Sequence, residues 1–147
     1  MKVCGVEIKS NEAIICLLTM DGDVFDIPNC RAQKVVLTDA SSAEGLADFQ
    51  FTFGKLMHDY KVEHVVIKER PMKGKFAGSA LGFKLEAAIQ LLENVTVEIQ
   101  SPQTEKAVIK RNPIPVDFKE TGLKGFQQSA FVTAYSFSMK KHFKIEE

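Results

Sequence analysis

The sequence predicts a mixed α/β domain: a central sheet of three antiparallel meander strands and two parallel strands, with helices on its faces. Asp21-Gly22 is a strong two-residue hairpin signal between strand-like runs, which favours an antiparallel start. Later, the β-branched run over residues 62–69 leads through Pro71 into a helical pattern, as a buried parallel strand does before its crossover helix. No linker or repeat divides the sequence, so residues 1–147 are predicted to form one domain.

The first third of the chain is predicted to be the antiparallel meander. Residues 2–8 alternate between two faces, Ser10-Asn11 supplies a turn, and residues 13–20 form a nearly continuous apolar strand. After the hairpin signal, residues 24–27 and then residues 34–37 continue the meander.

Residues 41–60 are predicted to form the first helix, because Ser41 and Glu44 have capping-box spacing. The apolar residues at helical intervals are Leu46, Phe49, Phe53, Leu56, Met57 and Tyr60. Phe51 lies off that stripe, so it is either packed by a neighbour or part of a contact surface. The alternation of phenylalanines over residues 49–53 would also suit a strand, but the longer stripe favours the helix.

A strand over residues 62–69 and a helix over about residues 76–93 are predicted next. Val65, Ile67 and Glu69 share one face of this strand, because side chains alternate along it. In the helical region Gly74, Gly78 and Gly82 recur every four residues, which predicts one helical face open to the close approach of another backbone. A membrane helix is excluded because charged residues are interspersed, and a Walker A loop because no Gly-Lys precedes Ser or Thr.

The last third is predicted to hold a strand over residues 95–99, a short basic helix over residues 104–111, and a long helix from Gly122 onward. The core stripe of the long helix is Phe126, Ala130, Thr133, Ala134 and Phe137. Phe131 and Tyr135 widen this stripe into a second apolar face, which suggests burial against both the sheet and a partner subunit. A homodimer through aromatic helix faces is therefore expected.

Composition limits the function classes. The 19 basic and 19 acidic residues give a formal net charge of zero, so any nucleic-acid binding must come from a local patch. No apolar run approaches the roughly 20 residues that span a bilayer, and the first residues start a strand rather than a signal peptide. Cys4, Cys16 and Cys30 show no CxxC spacing, and the first two are expected to be buried thiols. The expected location is the cytoplasm, with no membrane partner.

The best functional lead lies at the end of the 62–69 strand. Ligands of open α/β sheets collect at the carboxyl edge of the strands, where Glu69 is followed by Arg70, Lys73 and Lys75. The alternative, a solvated glutamate and a solvated loop, remains open on the residues alone. The three histidines have no metal-ligand spacing, and no Ser or Cys nucleophile has a supporting elbow or paired His.

The element order, with one acid on the first strand and another closing the fourth, resembles the RNase H-like fold, and in particular RuvC-type Holliday junction resolvases. The resemblance covers nearly the whole chain. It is carried by residues 3–7, 67–70, 79–82 and 86–88, and by Ser101-Pro102 followed by Lys106. The chain is still more similar to a small uncharacterised bacterial family placed near those resolvases.

The resemblance implies a carboxylate cluster that holds Mg²⁺ or Mn²⁺ for phosphodiester hydrolysis, since such hard cations prefer oxygen ligands. Glu7 matches the first-strand Asp of the resolvases, and Glu69 matches their Glu at the end of the fourth strand, so both are implied as catalytic and metal-binding residues. The family also carries a D-x-x-D pattern near the start of its last helix. Residues 127–134 contain no acid, so the metal site is predicted to be incomplete and metal binding to be weak.

The sequence is compatible with two functions. The missing acids favour a catalytically weak or inactive module that binds DNA, RNA or protein. The alternative is a divalent-metal-dependent, resolvase-like nuclease that uses Glu7 and Glu69. Either would contact phosphates through basic residues, namely Arg70, Lys73, Lys75, Lys106 and Lys110. We also expect the strands of Glu7 and Glu69 to be parallel neighbours, with both carboxylates on one face of the sheet.

Overall fold

A mixed sheet organises the computed structural model, which describes residues 1–75 and 77–143. The strands are β1 Lys2–Lys9, β2 Glu12–Asp21, β3 Val24–Asp26, β4 Lys34–Val36, β5 His64–Lys68 and β6 Thr96–Gln100. The α-helices are α1 Ala43–Asp59, α2 Ala80–Gln90, α3 Pro102–Arg111 and α4 Gln128–Phe143. Two short 3-10 helices, Phe118–Thr121 and Gly125–Gln127, precede α4. The strand order is β3-β2-β1-β5-β6, with β4 also paired to β2. The predicted mixed α/β fold is confirmed.

The antiparallel meander is present, with its third strand divided in two. β1 pairs with β2 along its whole length, from Lys2 opposite Thr19 to Lys9 opposite Glu12. The short strand β3 continues the end of β2 through a turn at Gly22, whose φ of +62° suits glycine. β4 pairs instead with the start of β2.

The parallel half of the sheet consists of β1, β5 and β6 side by side. The crossover from β1 and its meander to β5 carries α1, and the crossover from β5 to β6 carries α2. Since parallel strands end at the same edge, the segments that follow β5 and β6 emerge together. This carboxyl edge bears the candidate site.

Helices cover both faces of the sheet, which explains why β2 is apolar almost throughout. One face packs on α1 and α2, through residues such as Val6, Val65 and Ile67. The other packs on α4, through Val3 and Val66 among others. We call these the α1–α2 face and the α4 face.

Two of the cysteines are buried in these layers, as the sequence predicts. Cys4 lies in the core of the α1–α2 face and Cys16 in the core of the α4 face, and both are free thiols. Burial raises the pKa of Cys16 to about 12 and that of Cys4 well above its ordinary value. Both are therefore protonated packing residues at neutral pH.

Helix starts differ from the sequence predictions by a few residues. Ser42, not Ser41, caps α1 by accepting from the amide of Gly45. Helix α2 begins at Ala80 after the extended cap Ser79, whereas its predicted start at Phe76 lies outside the described residues. Helix α3 begins earlier than predicted, at Pro102, because Ser101 caps it and proline suits the first turn.

The second apolar face of α4 is covered by the same chain. Phe131 and Tyr135 are 1% and 2% exposed, with ring centroids 5.8 and 5.5 Å from that of Phe25. The aromatic width of α4 therefore does not require a partner subunit. The predicted helix start at Gly122 is wrong, since Gly122 has a φ of +78° and ends a 3-10 helix. Phe126 consequently lies before α4 and is 46% exposed rather than in the core stripe.

In the described part of the chain, no helix combines the length and the apolar character needed to cross a membrane.

Candidate functional site

The two predicted metal ligands lie at the carboxyl edge but on opposite faces of the sheet. β1 and β5 are parallel neighbours, as expected, with Val3 opposite His64 and Val6 opposite Ile67. One step further, Glu7 lies beside Lys68, and the alternation of side chains places both on the α4 face. Glu69 follows Lys68 and therefore turns to the α1–α2 face. The expectation that the two carboxylates share a face is wrong.

The error lies in the register between the strands. The alternation within each strand is as predicted, since Val65 and Ile67 share a face. That face also holds Cys4 and Val6, however, and not Val3, which packs on α4. A stagger of one residue between two strands exchanges the faces.

On the α4 face, Lys68 is surrounded by polar side chains. Its ammonium donates to Ser129 Oγ at 3.0 Å and lies 3.8 Å from a carboxylate oxygen of Glu105. Glu105 is 4% exposed and accepts a hydrogen bond from the Thr133 hydroxyl. Together with Glu7 these residues form what we call the Lys68 cluster. It joins β1, β5, α3 and α4 at one edge of the sheet.

Burial is the largest influence on the Glu105 carboxyl and raises its pKa. The Thr133 hydroxyl, the Lys68 ammonium and the Gln100 side chain act in the opposite direction, because each stabilises the carboxylate. The negative charge of Glu7 raises the pKa of Glu105 further. Glu7 and Glu105 thus repel each other, and the Lys68 ammonium is a cation 3.8 Å from the Glu105 carboxylate that offsets this repulsion.

The donor set of the Lys68 cluster does not fit the Mg²⁺ or Mn²⁺ that the resemblance implies. Across residues 1–75 and 77–143, no three or more His, Cys, Asp or Glu side chains are placed to hold a metal ion. Ser129 and Thr133 stand on α4 within the segment where acids are implied, and their hydroxyls are bonded to Lys68 and Glu105. The Lys68 ammonium also repels a second cation.

On the α1–α2 face, Arg70 is folded back against α2. Its guanidinium lies 4.4 Å from the ring centroid of Phe83, in a cation–π contact. A Cβ atom added to Gly78 would lie 2.7 Å from Arg70 Nη1, and one added to Gly82 would lie 2.9 Å from Arg70 Cζ. These glycines therefore make room for the side chain of Arg70, whereas the sequence predicts that they allow the close approach of another backbone. Gly74 lies in the loop before the helix, with a φ of +92°.

Arg70 is the cationic neighbour of a buried acid, Glu86, which is 7% exposed. Burial raises the pKa of Glu86, the charge of Arg70 lowers it, and the charge of Glu69 raises it. Burial also lowers the pKa of Arg70, and Glu86 opposes that shift. The Nε and Nη2 atoms of Arg70 are shielded from solvent and have no hydrogen-bond partner. The guanidinium of Arg70 thus points towards the protein. A phosphate contact, which the sequence predicts for Arg70, would need it to point outward.

The side chains of the other predicted phosphate contacts are exposed. Lys73 and Lys75 lie in the loop after β5, which a hydrogen bond from the Gly78 amide to the Pro71 carbonyl helps to close. Lys106 and Lys110 lie one helical turn apart on the outer side of α3, the helix that follows β6. The two pairs of exposed lysines thus lie on the segments that follow the neighbouring parallel strands β5 and β6.

A groove lies at the opposite edge of the sheet, where the parallel strands begin. It has a volume of about 810 Å³ and lies between α1 and the segment before β6. Phe51, which falls off the apolar stripe of α1, lines it and is 71% exposed. Lys55 and Lys61 also line it. This groove is remote from the carboxyl edge, since Lys61 and Val95 lie where β5 and β6 begin.

Sequence reasoning missed Lys68, Glu105 and Glu86. A signal existed for each. Lys68 continues the alternation of Val66 on a strand with two apolar faces, so it needed a partner. Glu105 stands three residues before the buried Val108, and Glu86 three residues before the buried Ile89, which places each acid on the inner side of its helix.

Comparison with solved structures shows which fold this is. A Thermus thermophilus RuvC structure aligns with a TM-score of 0.74 at 12% identity, covering 98% of this chain and 97% of that chain. T. thermophilus RuvC in complex with Holliday junction substrate aligns with a TM-score of 0.73 at 14% identity, covering 98% of this chain and 96% of that chain. A complex of Fowlpox virus resolvase with substrate Holliday junction DNA aligns with a TM-score of 0.52 at 14% identity, covering 97% of this chain and 96% of that chain. The predicted RNase H-like, RuvC-like fold is confirmed.

Sequence comparisons add one match. A family model described as "Protein of unknown function (DUF3010)" matches residues 1–137. No curated protein matches the chain significantly.

Proposed function

The chain belongs to this DUF3010 family, and we propose that it is a RuvC-like domain that binds structured DNA without cleaving it. The observation that carries the proposal is the placement of Glu7 and Glu69 on opposite faces of the sheet, with Lys68 beside Glu7. Lysines remain exposed on the segments that follow β5 and β6. The domain would thus keep the fold and a basic surface but lack a working metal centre.

The absence of cleavage follows from the chemistry of a two-metal site. Two ions roughly 3.5–4 Å apart hold the attacking water and the leaving oxygen together, so their carboxylate ligands must converge. Glu7 and Glu69 diverge across the sheet, and the nearby Glu105 is engaged by Thr133 and Lys68. Phosphodiester hydrolysis is therefore not expected at this edge.

DNA binding is supported by the lysine pairs and by the two structural relatives solved with Holliday junction DNA. Because the net charge is zero, attraction to phosphate must come from a local cluster. Lys73 and Lys75 follow β5, and Lys106 and Lys110 follow β6, so one strand of a nucleic acid could contact both pairs. Arg70 would act by holding its loop against α2 rather than by contacting phosphate.

The test is the salt dependence of DNA binding. Fluorescence anisotropy with labelled junction, duplex and single-stranded DNA would compare wild type with two double variants, Lys73→Ala/Lys75→Ala and Lys106→Ala/Lys110→Ala. Each should weaken binding to all sequences alike and reduce the salt slope by up to about two, near one per lost phosphate contact.

Lys55→Ala/Lys61→Ala is the matched control, since it removes the same charge at the opposite edge of the sheet. It should bind as wild type does. The proposal fails if wild type binds no DNA at low salt, or if the edge variants and the control are indistinguishable from wild type. A loss confined to the control would move the interface to the Phe51 groove.

A further inference from the structure

The feature that goes beyond DNA binding is the ammonium of Lys68. It is held from two sides, by a 3.0 Å hydrogen bond to Ser129 on α4 and by the charge of Glu105 on α3 at 3.8 Å. The second distance exceeds a hydrogen bond, so the attraction to Glu105 is electrostatic. The side chain of Lys68 is 31% exposed, whereas the side chain of Glu105 is 6% exposed. The ammonium therefore lies where the buried acid meets solvent.

The acids around Lys68 need a cation. The negative charge of Glu7 acts on the Glu105 carboxylate, and like charges repel. A buried carboxylate without a counter-charge is costly. In this fold the counter-charge at the β1 edge would ordinarily be expected from a bound metal, as the resemblance implies. Here a side chain of the protein provides it.

We propose that the Lys68 ammonium replaces a divalent cation between Glu7 and Glu105, so that this edge of the sheet is complete without metal and excludes it. The inference rests on the non-catalytic part of the proposed function and is independent of DNA binding. It also predicts that Glu7 and Glu105, with the hydroxyl of Ser129, become a site for Mg²⁺ or Mn²⁺ once the ammonium is removed, because carboxylate and hydroxyl oxygens are ligands for hard cations.

The test measures Mn²⁺ binding by isothermal titration calorimetry, and Tm with and without Mn²⁺. Wild type should show no saturable Mn²⁺ binding and no change of Tm. Lys68→Ala should have a lower Tm that Mn²⁺ raises, and its affinity should exceed that of wild type by about tenfold or more, the scale on which neighbours of a metal site act. Lys68→Arg, which keeps the charge, should behave as wild type.

Two double variants locate the new site. In Lys68→Ala/Glu7→Gln the gained Mn²⁺ binding should disappear, whereas in Lys68→Ala/Glu69→Gln it should persist, because Glu69 lies on the other face. If Lys68→Ala does not fold, Lys68→Ser replaces it as the variant that removes the ammonium.

Two results would overturn the inference. One is saturable Mn²⁺ binding by wild type that Glu7→Gln or Glu105→Gln removes. The other is a folded Lys68 variant that binds Mn²⁺ no better than wild type. Anisotropy with junction DNA on the same proteins keeps the outcomes separate, since loss of DNA binding alone contradicts the proposed function and leaves the role of Lys68 standing.

Discussion

Gly5 on β1 and Ala134 on α4 are in direct backbone contact. A Cβ atom added to Gly5 would lie 2.8 Å from the backbone nitrogen of Ala134, and closer still to the carbonyl oxygen of Ala130. Because both neighbours are backbone atoms of one helix, α4 as a whole would have to move away from the sheet. This contact brings α4 close enough for Ser129 and Thr133 to reach the Lys68 cluster.

Gly5→Ala should therefore destabilise the protein by about 1–3 kcal/mol or more, the cost of overpacking a well-packed core. Urea unfolding followed by circular dichroism would measure the change. Gly125→Ala is the control, since a Cβ atom there has nothing within 4 Å. A Gly5→Ala protein as stable as wild type would show that α4 does not pack on β1 at this distance.

Glu86 should make stability depend on pH. Burial raises its pKa in the folded protein, so between the ordinary value of about 4.3 and the raised value the folded state binds more protons than the unfolded state. The contribution of Glu86 to the free energy of unfolding is thus largest below that ordinary value and is lost as pH rises through the folded pKa.

Urea unfolding of wild type and Glu86→Gln across this pH range isolates the effect. The free energy of wild type minus that of the variant should fall as pH rises. The buried Glu105 is present in both proteins, so its similar pH dependence cancels in the difference. A difference that stays flat, or that rises with pH, contradicts the assignment.

Nuclease activity is the alternative that a direct assay can decide. Wild type incubated with Mg²⁺ or Mn²⁺ and with junction, duplex or single-stranded DNA should give no turnover above the background of a Glu7→Gln/Glu69→Gln control. The reason is that the two acids lie on opposite faces of the sheet and cannot hold one pair of ions. Robust turnover that disappears in Glu69→Gln would restore the nuclease.

Much of the fold was predictable because its signals are local. The alternation of β1, the Gly22 turn, the apolar stripe of α1 and the strand over residues 64–68 each depend on a few neighbouring residues. The order and spacing of such elements were enough to reveal the resemblance to RuvC-type resolvases. The lack of acids in residues 127–134 is likewise a fact of the sequence, and it predicted an incomplete metal site.

Element ends were less predictable, since they depend on contacts made elsewhere. The sequence pattern suggested a helix from Gly122, but that residue takes a positive φ and the chain makes two 3-10 helices before α4. The glycines at 78 and 82 suggested close backbone packing, whereas the space that they leave is filled by the side chain of Arg70.

The sequence by itself determined which side chains share a face within one strand or one helix, because periods of two and 3.6 residues are properties of the local backbone. Only the tertiary structure decided how β1 and β5 are staggered, since two strands about 60 residues apart in the chain are aligned by packing against α1, α2 and α4. That stagger separates Glu7 from Glu69 and places Lys68 beside Glu7. The docking of α3 and α4 then brings Glu105 and Ser129 to the ammonium, which no spacing along the chain encodes.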